Sequence, residues 1–287
     1  MHFIKTKRPL IILIFVSIFL LSCESNEKIT KEECFSNIEK CKLIANKGNV
    51  NAQNFCGSYF LKEKNEGEAI KWYLLAANSG LTKAQYNLSC IYLSKKSDSY
   101  NSQEGIKWLK KAAIQNYGPA LNLLAIEYIS GDDIKKNEEK GFNMLKEIVN
   151  RGTDSISVLK ISYFYLAQAY HMGLGTVPNA DLAFKYYKLA AESGDDLAQF
   201  LLGQMYMMGE GTLKNEESAY KWFKKSSEQG NVDALIKIGY FYLNGIYVKK
   251  DYEQGLKIYK QASDKGAIFN TYYLAQIYYF GLYGQKR

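Results

Sequence analysis

The sequence predicts an all-α, solenoid-type fold. Three observations carry this: a helical signature that recurs at a near-fixed period, a second helical signature in register with it, and glycines where each helix should stop. The first signature, helix A, reads A-x-x-x-L-small-x-x-Y. It occurs at Ala84/Leu88/Tyr92, Ala120/Leu124/Tyr128, Ser162/Leu166/Tyr170, Ala198/Leu202/Tyr206, Ala234/Ile238/Tyr242 and Asn270/Leu274/Tyr278, with a degenerate copy at Ala52/Cys56/Phe60. Successive copies are 32, 36, 42, 36, 36 and 36 residues apart. Residues at i, i+4 and i+8 share one face of a helix, so each copy has one apolar stripe. The second signature, helix B, reads Ala69/Trp72/Tyr73/Ala76/Ala77/Gly80, then Ala183/Tyr186/Tyr187/Ala190/Ala191/Gly194, then Ala219/Trp222/Phe223/Ser226/Ser227/Gly230. A hairpin of this kind cannot bury its apolar faces alone and must stack on its neighbours.

Residues 1–22 stand outside this pattern. Lys5, Lys7 and Arg8 precede an apolar run, Leu10 to Leu21, broken only by Ser17. Those twelve residues fall short of the about 20 needed to span a bilayer but match the core of a signal peptide. Leu20-Leu21-Ser22-Cys23 resembles a bacterial lipobox, which implies cleavage before Cys23 and acylation of that cysteine; the plainer alternative is an ordinary signal peptide. Glu24 after the cysteine favours sorting to the outer membrane. Residues 23–33 read as a polar tether, residues 34–48 as a capping helix of B type with Ile44 and Ala45 in the A-A slots, and residues 49–287 as the repeat array. Repeat four carries six extra residues near Thr153–Ile161, expected as a loop. Only helix A of a seventh repeat is present, as a C-terminal cap whose Tyr272, Tyr273, Tyr279 and Phe280 form an aromatic edge. The chain is expected to be monomeric unless that edge self-associates.

Loss of residues 1–22 lowers the formal net charge from +8 to +5. The remaining charge is interspersed, with no arginine-rich patch, which argues against nucleic-acid binding. An exported protein is free to form disulfides. On one helix Cys34 and Cys41 would be separated by about 10.5 Å of rise, too far to bridge. Cys41 and Cys56 flank the Gly48-Asn49 turn symmetrically, so a Cys41–Cys56 disulfide is expected, the alternative being that Cys34, Cys41, Cys56 and Cys90 are all small packing residues.

Catalytic signals are sparse. His171 is the only histidine after residue 22, and it sits in a repeat turn, which leaves no histidine-based triad or multi-histidine metal site. Gly173-Leu174-Gly175 and Gly209-Glu210-Gly211 follow helices, not strands, and lack the Lys-Ser/Thr of a phosphate loop. Paired carboxylates such as Asp195-Asp196 and Glu216-Glu217 lie at helix starts, where they favour the helix dipole. Trp72, Trp108 and Trp222 share one helix-B slot and are expected in the core. No metal and no cofactor are expected.

The motifs A-Q-Y-N-L at Ala84–Leu88, Y-x-x-G-x-G at Tyr170–Gly175 and Tyr206–Gly211, and K-W-Y-x-x-A-A at Lys71–Ala77 resemble the Sel-1-like repeat family, over roughly residues 45–284. The resemblance implies a right-handed α/α superhelix of about six helix-turn-helix repeats whose A helices line a concave groove that binds another protein. Counting the helix-A alanine as position 1, positions 4, 7 and 11 point away from the stripe. These include Asn87, Tyr165 and Lys237, then Ser58, Cys90, Gln168, Gln204, Tyr240 and Gln276, then Ser94. Asn87, Tyr165, Gln168, Gln204, Lys237, Tyr240 and Gln276 are the expected partner-contacting set, since amides and hydroxyls can grip a bound backbone; ordinary solvated polarity is the competing reading. The expectation is a non-enzymatic, lipid-anchored envelope scaffold. Its partner would be an envelope factor or a delivered effector that the protein neutralises as an immunity protein. The alternative is a cell-wall-related enzyme, because cysteine-rich members of the family have been linked to β-lactam binding or hydrolysis; no S-x-x-K pair at a suitable place supports it.

Overall fold

A computed structural model describes residues 29–152 and 155–265. Cys23, Gln276, the signal segment and the seventh helix A lie outside the described residues. Among those described, the chain forms fourteen α-helices and no strand, arranged in two compact units that divide between Gln115 and Asn116. Unit 1 holds α1 (Lys31–Ser36), α2 (Ile38–Asn46), α3 (Val50–Lys62), α4 (Glu66–Asn78), α5 (Thr82–Leu93) and α6 (Ser102–Ile114). Unit 2 holds α7 (Gly118–Ser130), α8 (Glu138–Arg151), α9 (Ile156–Met172), α10 (Ala180–Glu192), α11 (Asp196–Met208), α12 (Glu216–Glu228), α13 (Val232–Asn244) and α14 (Tyr252–Asp264). Within each unit the helices pair as A/B hairpins, and successive hairpins pack side by side, as in an α-solenoid.

The apolar slots behave as the periodicity requires. Ala52, Ala84, Ala120, Ser162, Ala198 and Ala234 are wholly buried, and the slot-5 residues from Cys56 to Ile238 are buried beside them. Trp72 and Trp108 are buried; Trp222 is half-buried against the unit 2 core. Position 6 must be small because a helix-B side chain lies on it. A Cβ added to Gly57 or Gly203 would come within 2.6 Å of the Tyr73 ring or 2.8 Å of the Phe223 ring. Where the matching helix-B residue is Leu109 or Leu145, position 6 is Ser89 or Ala125 instead.

Each hairpin is closed by a residue that the repeat signatures do not contain. Asn65, Asn101, Asn137, Asn179, Asn215 and Asp251 cap the N-termini of α4, α6, α8, α10, α12 and α14 through their side-chain oxygens. This satisfies one of the otherwise unpaired first-turn N–H groups. The backbone N–H of the same six residues donates to the carbonyl of the slot-9 residue of the preceding helix A, Phe60, Tyr92, Tyr128, Tyr170, Tyr206 or Tyr242, at 2.7–2.9 Å. One residue thus starts helix B and pins it to helix A.

Neighbouring hairpins are tied by glutamines. Gln53, Gln85 and Gln199, each just after the helix-A alanine, are buried and donate to the carbonyls of Ala45, Ala77 and Ala191 at 3.1–3.2 Å. Gln115 and Gln229 extend the chain by donating to Gln85 and Gln199, each at 2.9 Å. Between α7 and α9 the tie is a different one: Asn122, two residues after Ala120, donates to the Val158 carbonyl at 2.9 Å and accepts from Ser162 at 2.6 Å.

Three sequence expectations are corrected. The N-terminal cap begins at Lys31, not residue 34: Thr30 and Glu33 form a reciprocal capping box. The cap is also two helices. Asn37 (φ −143°, ψ 86°) ends α1 and, through its side chain, starts α2. The rise expected for one continuous helix therefore does not separate Cys34 from Cys41. Their Cα atoms lie 4.9 Å apart, and a disulfide joins them. The expected Cys41–Cys56 bridge is not formed; Cys56 is a buried free thiol. In repeat four, residues 156–161 are helical, so extra residues lengthen α9 to 17 residues, against 13 in α11 and α13, instead of forming a loop.

The packing at position 6 makes a direct prediction. Gly203→Val should cost at least about 1–3 kcal/mol by overpacking against Phe223. Phe223→Leu in the same chain should recover part of the loss, relative to the sum of the single changes. Urea unfolding midpoints of the two single variants and the double variant measure both effects; additive losses would show that the ring does not set the size of position 6.

Candidate functional site

The A helices of unit 1 present a groove. Its first part is a cavity of about 420 Å³ lined by Lys31, Asn54, Phe55, Ser58, Leu61, Lys62, Tyr73, Lys83 and Asn87. A second hollow of about 310 Å³ shares Leu61, Tyr73 and Asn87 with the first and adds Glu66, Cys90, Ile91, Ser94, Lys96 and Ser97. Four residues placed by sequence on the outward helix-A positions, Ser58, Asn87, Cys90 and Ser94, therefore meet here.

Local bonds hold the polar groups in place. Asn87 Nδ2 donates to Asn54 Oδ1 at 3.0 Å, across from α5 to α3. Asn54 is 3% exposed, and with its oxygen engaged its own amide N–H₂ is the group it has to offer. The Ser58 hydroxyl and the Tyr73 phenol are hydrogen-bonded at 3.0 Å. Burial pushes the Tyr73 phenol above its ordinary range, partly opposed by the Ser58 bond. Burial likewise raises the Cys90 thiol, which disfavours the thiolate. Glu66 lies below the ordinary carboxylate range because Ser97 and Ser99 donate to it; Ser97 Oγ does so at 2.6 Å and the Ser99 N–H at 3.2 Å. The α5–α6 loop is thereby fastened to the start of α4.

Sequence reasoning does not reach Asn54, Phe55 or the three lysines of the first cavity, Lys31, Lys62 and Lys83. Asn54 is at position 3, outside the positions taken to face outward, and Lys31 was assigned to the tether. The capping box at Thr30 and Glu33 was the available signal that Lys31 begins a helix.

Of the expected contact set, Asn87 lines these hollows; Tyr165, Gln168, Gln204, Lys237 and Tyr240 lie in unit 2 on α9, α11 and α13. Tyr165, Gln168, Gln204 and Lys237 are half-buried and Tyr240 is 40% exposed. No hydrogen bond joins them to one another among the described residues. Tyr165 packs edge-on against Phe164 at 5.3 Å, and burial, then the charge of Asp195, pushes its phenol up. His171 pairs with Glu210 at 2.9 Å and packs edge-on against Tyr187. The second glycines of the paired turns, Gly175 and Gly211, have φ of 70° and 63°, and a Cβ there would collide with the carbonyl of Glu138 or Ala180. They are close-approach points onto the preceding helix B, a packing role.

A family model described as Sel1 repeat matches residues 50–81, 82–117, 118–152, 160–195, 196–231 and 232–266. The chain belongs to the Sel1 repeat family. The matched Sel1 repeats coincide with the hairpins α3/α4 through α13/α14; residues 153–159 fall between two of them, and of these 156–159 form the lengthened start of α9. A Sel1 repeat protein from Oxalobacter formigenes is 27% identical with a TM-score of 0.67, over 80% of this chain and 100% of that one. A protective antigen with an SLR fold from uropathogenic Escherichia coli is 26% identical with a TM-score of 0.46, over 84% of this chain and 59% of that one. An immunity protein from Pseudomonas aeruginosa is 17% identical with a TM-score of 0.46, over 78% of this chain and 83% of that one. None of the curated proteins matches the chain.

Proposed function

We propose that this Sel1 repeat protein is a scaffold of the bacterial cell envelope, tethered by a lipid on Cys23 and facing the periplasm from the outer membrane, that holds another protein on its helix-A face. Sel1 repeat proteins are in general non-enzymatic scaffolds for protein–protein interaction. The finer reading rests on one observation: Ser58, Asn87, Cys90 and Ser94, which the repeat places at outward positions 4, 7 and 11, line two hollows in unit 1 that share Leu61, Tyr73 and Asn87. Its hydroxyls and amides suit hydrogen bonding to an extended segment, and Phe55 and Leu61 supply apolar contact. The occupant is an envelope factor or an effector delivered from another cell; the tether on Cys23 would hold the groove where either is met.

Photocross-linking in cells tests both parts. A benzophenone amino acid at position 90 should join the protein to one defined partner in the membrane fraction. The same group at Lys111, on a helix-B face, should not. Cys23→Ser should move the cross-linked product to the soluble fraction. Equal labelling from positions 90 and 111 would sink the groove assignment, and an unmoved Cys23→Ser product would sink the lipid tether.

A further inference from the structure

Resting on that groove reading, we infer that the unit 1 pocket takes an acidic peptide segment of its partner. Its rim carries three ammonium groups from three different helices: Lys31 from the start of α1, Lys62 from the end of α3 and Lys83 from the first turn of α5. None of the three is in an ion pair among the described residues, whereas Lys42, Lys71 and Lys107 are each bonded to a glutamate three residues away. Lys31 and Lys62 both lie over the Phe35 ring, at 5.5 and 5.6 Å, which positions them without neutralising them. No carboxylate lines this first cavity, and Glu66 in the adjoining hollow is engaged by Ser97 and Ser99. The rest of its lining is Phe55, Leu61, the Asn54–Asn87 amide pair and the Ser58–Tyr73 hydroxyl pair. A carboxylate entering between the lysines would meet positive charge and N–H donors together, and the peptide carrying it would cover Phe55 and Leu61. Nucleic acid fits less well, since the rim has no arginine.

The probe is fluorescein-labelled hexaglutamate, read by anisotropy on the full chain in detergent. The variants are K31E/K62E/K83E and, as an equal change in net charge elsewhere, K110E/K224E/K260E. The pocket variant should weaken hexaglutamate binding at least tenfold and the control less than twofold. Equal weakening by both variants, no binding to the unaltered chain, or tighter binding of a single-stranded oligonucleotide of equal charge would overturn the inference. The position-90 cross-link separates this inference from the reading beneath it. Its loss in the pocket variant alone supports the acidic occupant. Its persistence there removes the acidic occupant and leaves the groove standing. Its absence from the unaltered chain removes both.

A separate observation carries a second inference. Three sulfurs meet in the N-terminal core: the Cys34–Cys41 disulfide and the Cys56 thiol, whose Sγ lies 3.2 Å from that of Cys41. The geometry points to an internal disulfide exchange. The Cys56 thiolate attacks Cys41 Sγ, the Cys34–Cys41 bond breaks, Cys34 leaves as a thiolate, and it takes up the proton that Cys56 lost. One disulfide and one thiol enter and leave, so no oxidant is consumed. The bridge then links α2 to α3 across the turn at Gly48. Burial holds the Cys56 thiol up at about 11, which makes the exchange slow near neutrality. After incubation, the protein is unfolded in urea with N-ethylmaleimide and its peptides are mapped without reduction. Labelled Cys34 together with a Cys41–Cys56 peptide is the expected minor product, abolished by Cys56→Ser. Label confined to Cys56 and Cys90 at all incubation times would overturn the exchange.

Discussion

The described hairpins depend on a hydrogen bond that recurs at each turn from helix A to helix B. The residue heading each helix B donates its backbone N–H to the slot-9 carbonyl of helix A, while its side chain caps the helix it begins. The cap alone would fix where helix B starts. The backbone bond also fixes where it starts relative to helix A. With that distance set, Tyr73 or Phe223 falls opposite a glycine, and Gln53 or Gln199 reaches the alanine carbonyl of the preceding hairpin. The outward residues of successive A helices are thereby held in a common register, and in unit 1 that register is the groove.

The repeat pattern was readable in the sequence because burial acts on side-chain size. Alanine, leucine and tyrosine recur at fixed spacings since those slots face the core in every copy. The closing residues Asn65 to Asp251 are just as regular but carry no such size signal. They act through a backbone N–H that any non-proline residue owns, and their side chains read as ordinary loop polarity. The cysteines show the same limit. The Cys34–Cys41 pair is excluded on a continuous helix and allowed once Asn37 interrupts it, so the error was one of element boundary, not of disulfide geometry. The capping box at Thr30 and Glu33, followed by Asn37, was the signal for two short helices.

The site was half readable. Helical geometry alone placed Ser58, Asn87, Cys90 and Ser94 on one side of their helices, and the structure gathers them. Asn54 escaped because it is buried and joins the site through its bond to Asn87 on α5, which no single-helix pattern contains. The lysines escaped because their grouping comes from three helices distant in sequence. In unit 2, Tyr165, Gln168 and Gln204 are half-buried on α9 and α11.

Amide hydrogen exchange on Asn65→Ala, which removes the side-chain cap, and on Asn65→Pro, which also removes the backbone N–H given to Phe60, tests the closing interaction most directly. Loss of the cap costs about 1 kcal/mol, so amides of α3 and α4 should exchange several-fold to about tenfold faster in Asn65→Ala and faster still in Asn65→Pro, with α12 and α14 unchanged. Protection in α3 and α4 that matches the unaltered chain would contradict the claim that this residue sets the hairpin.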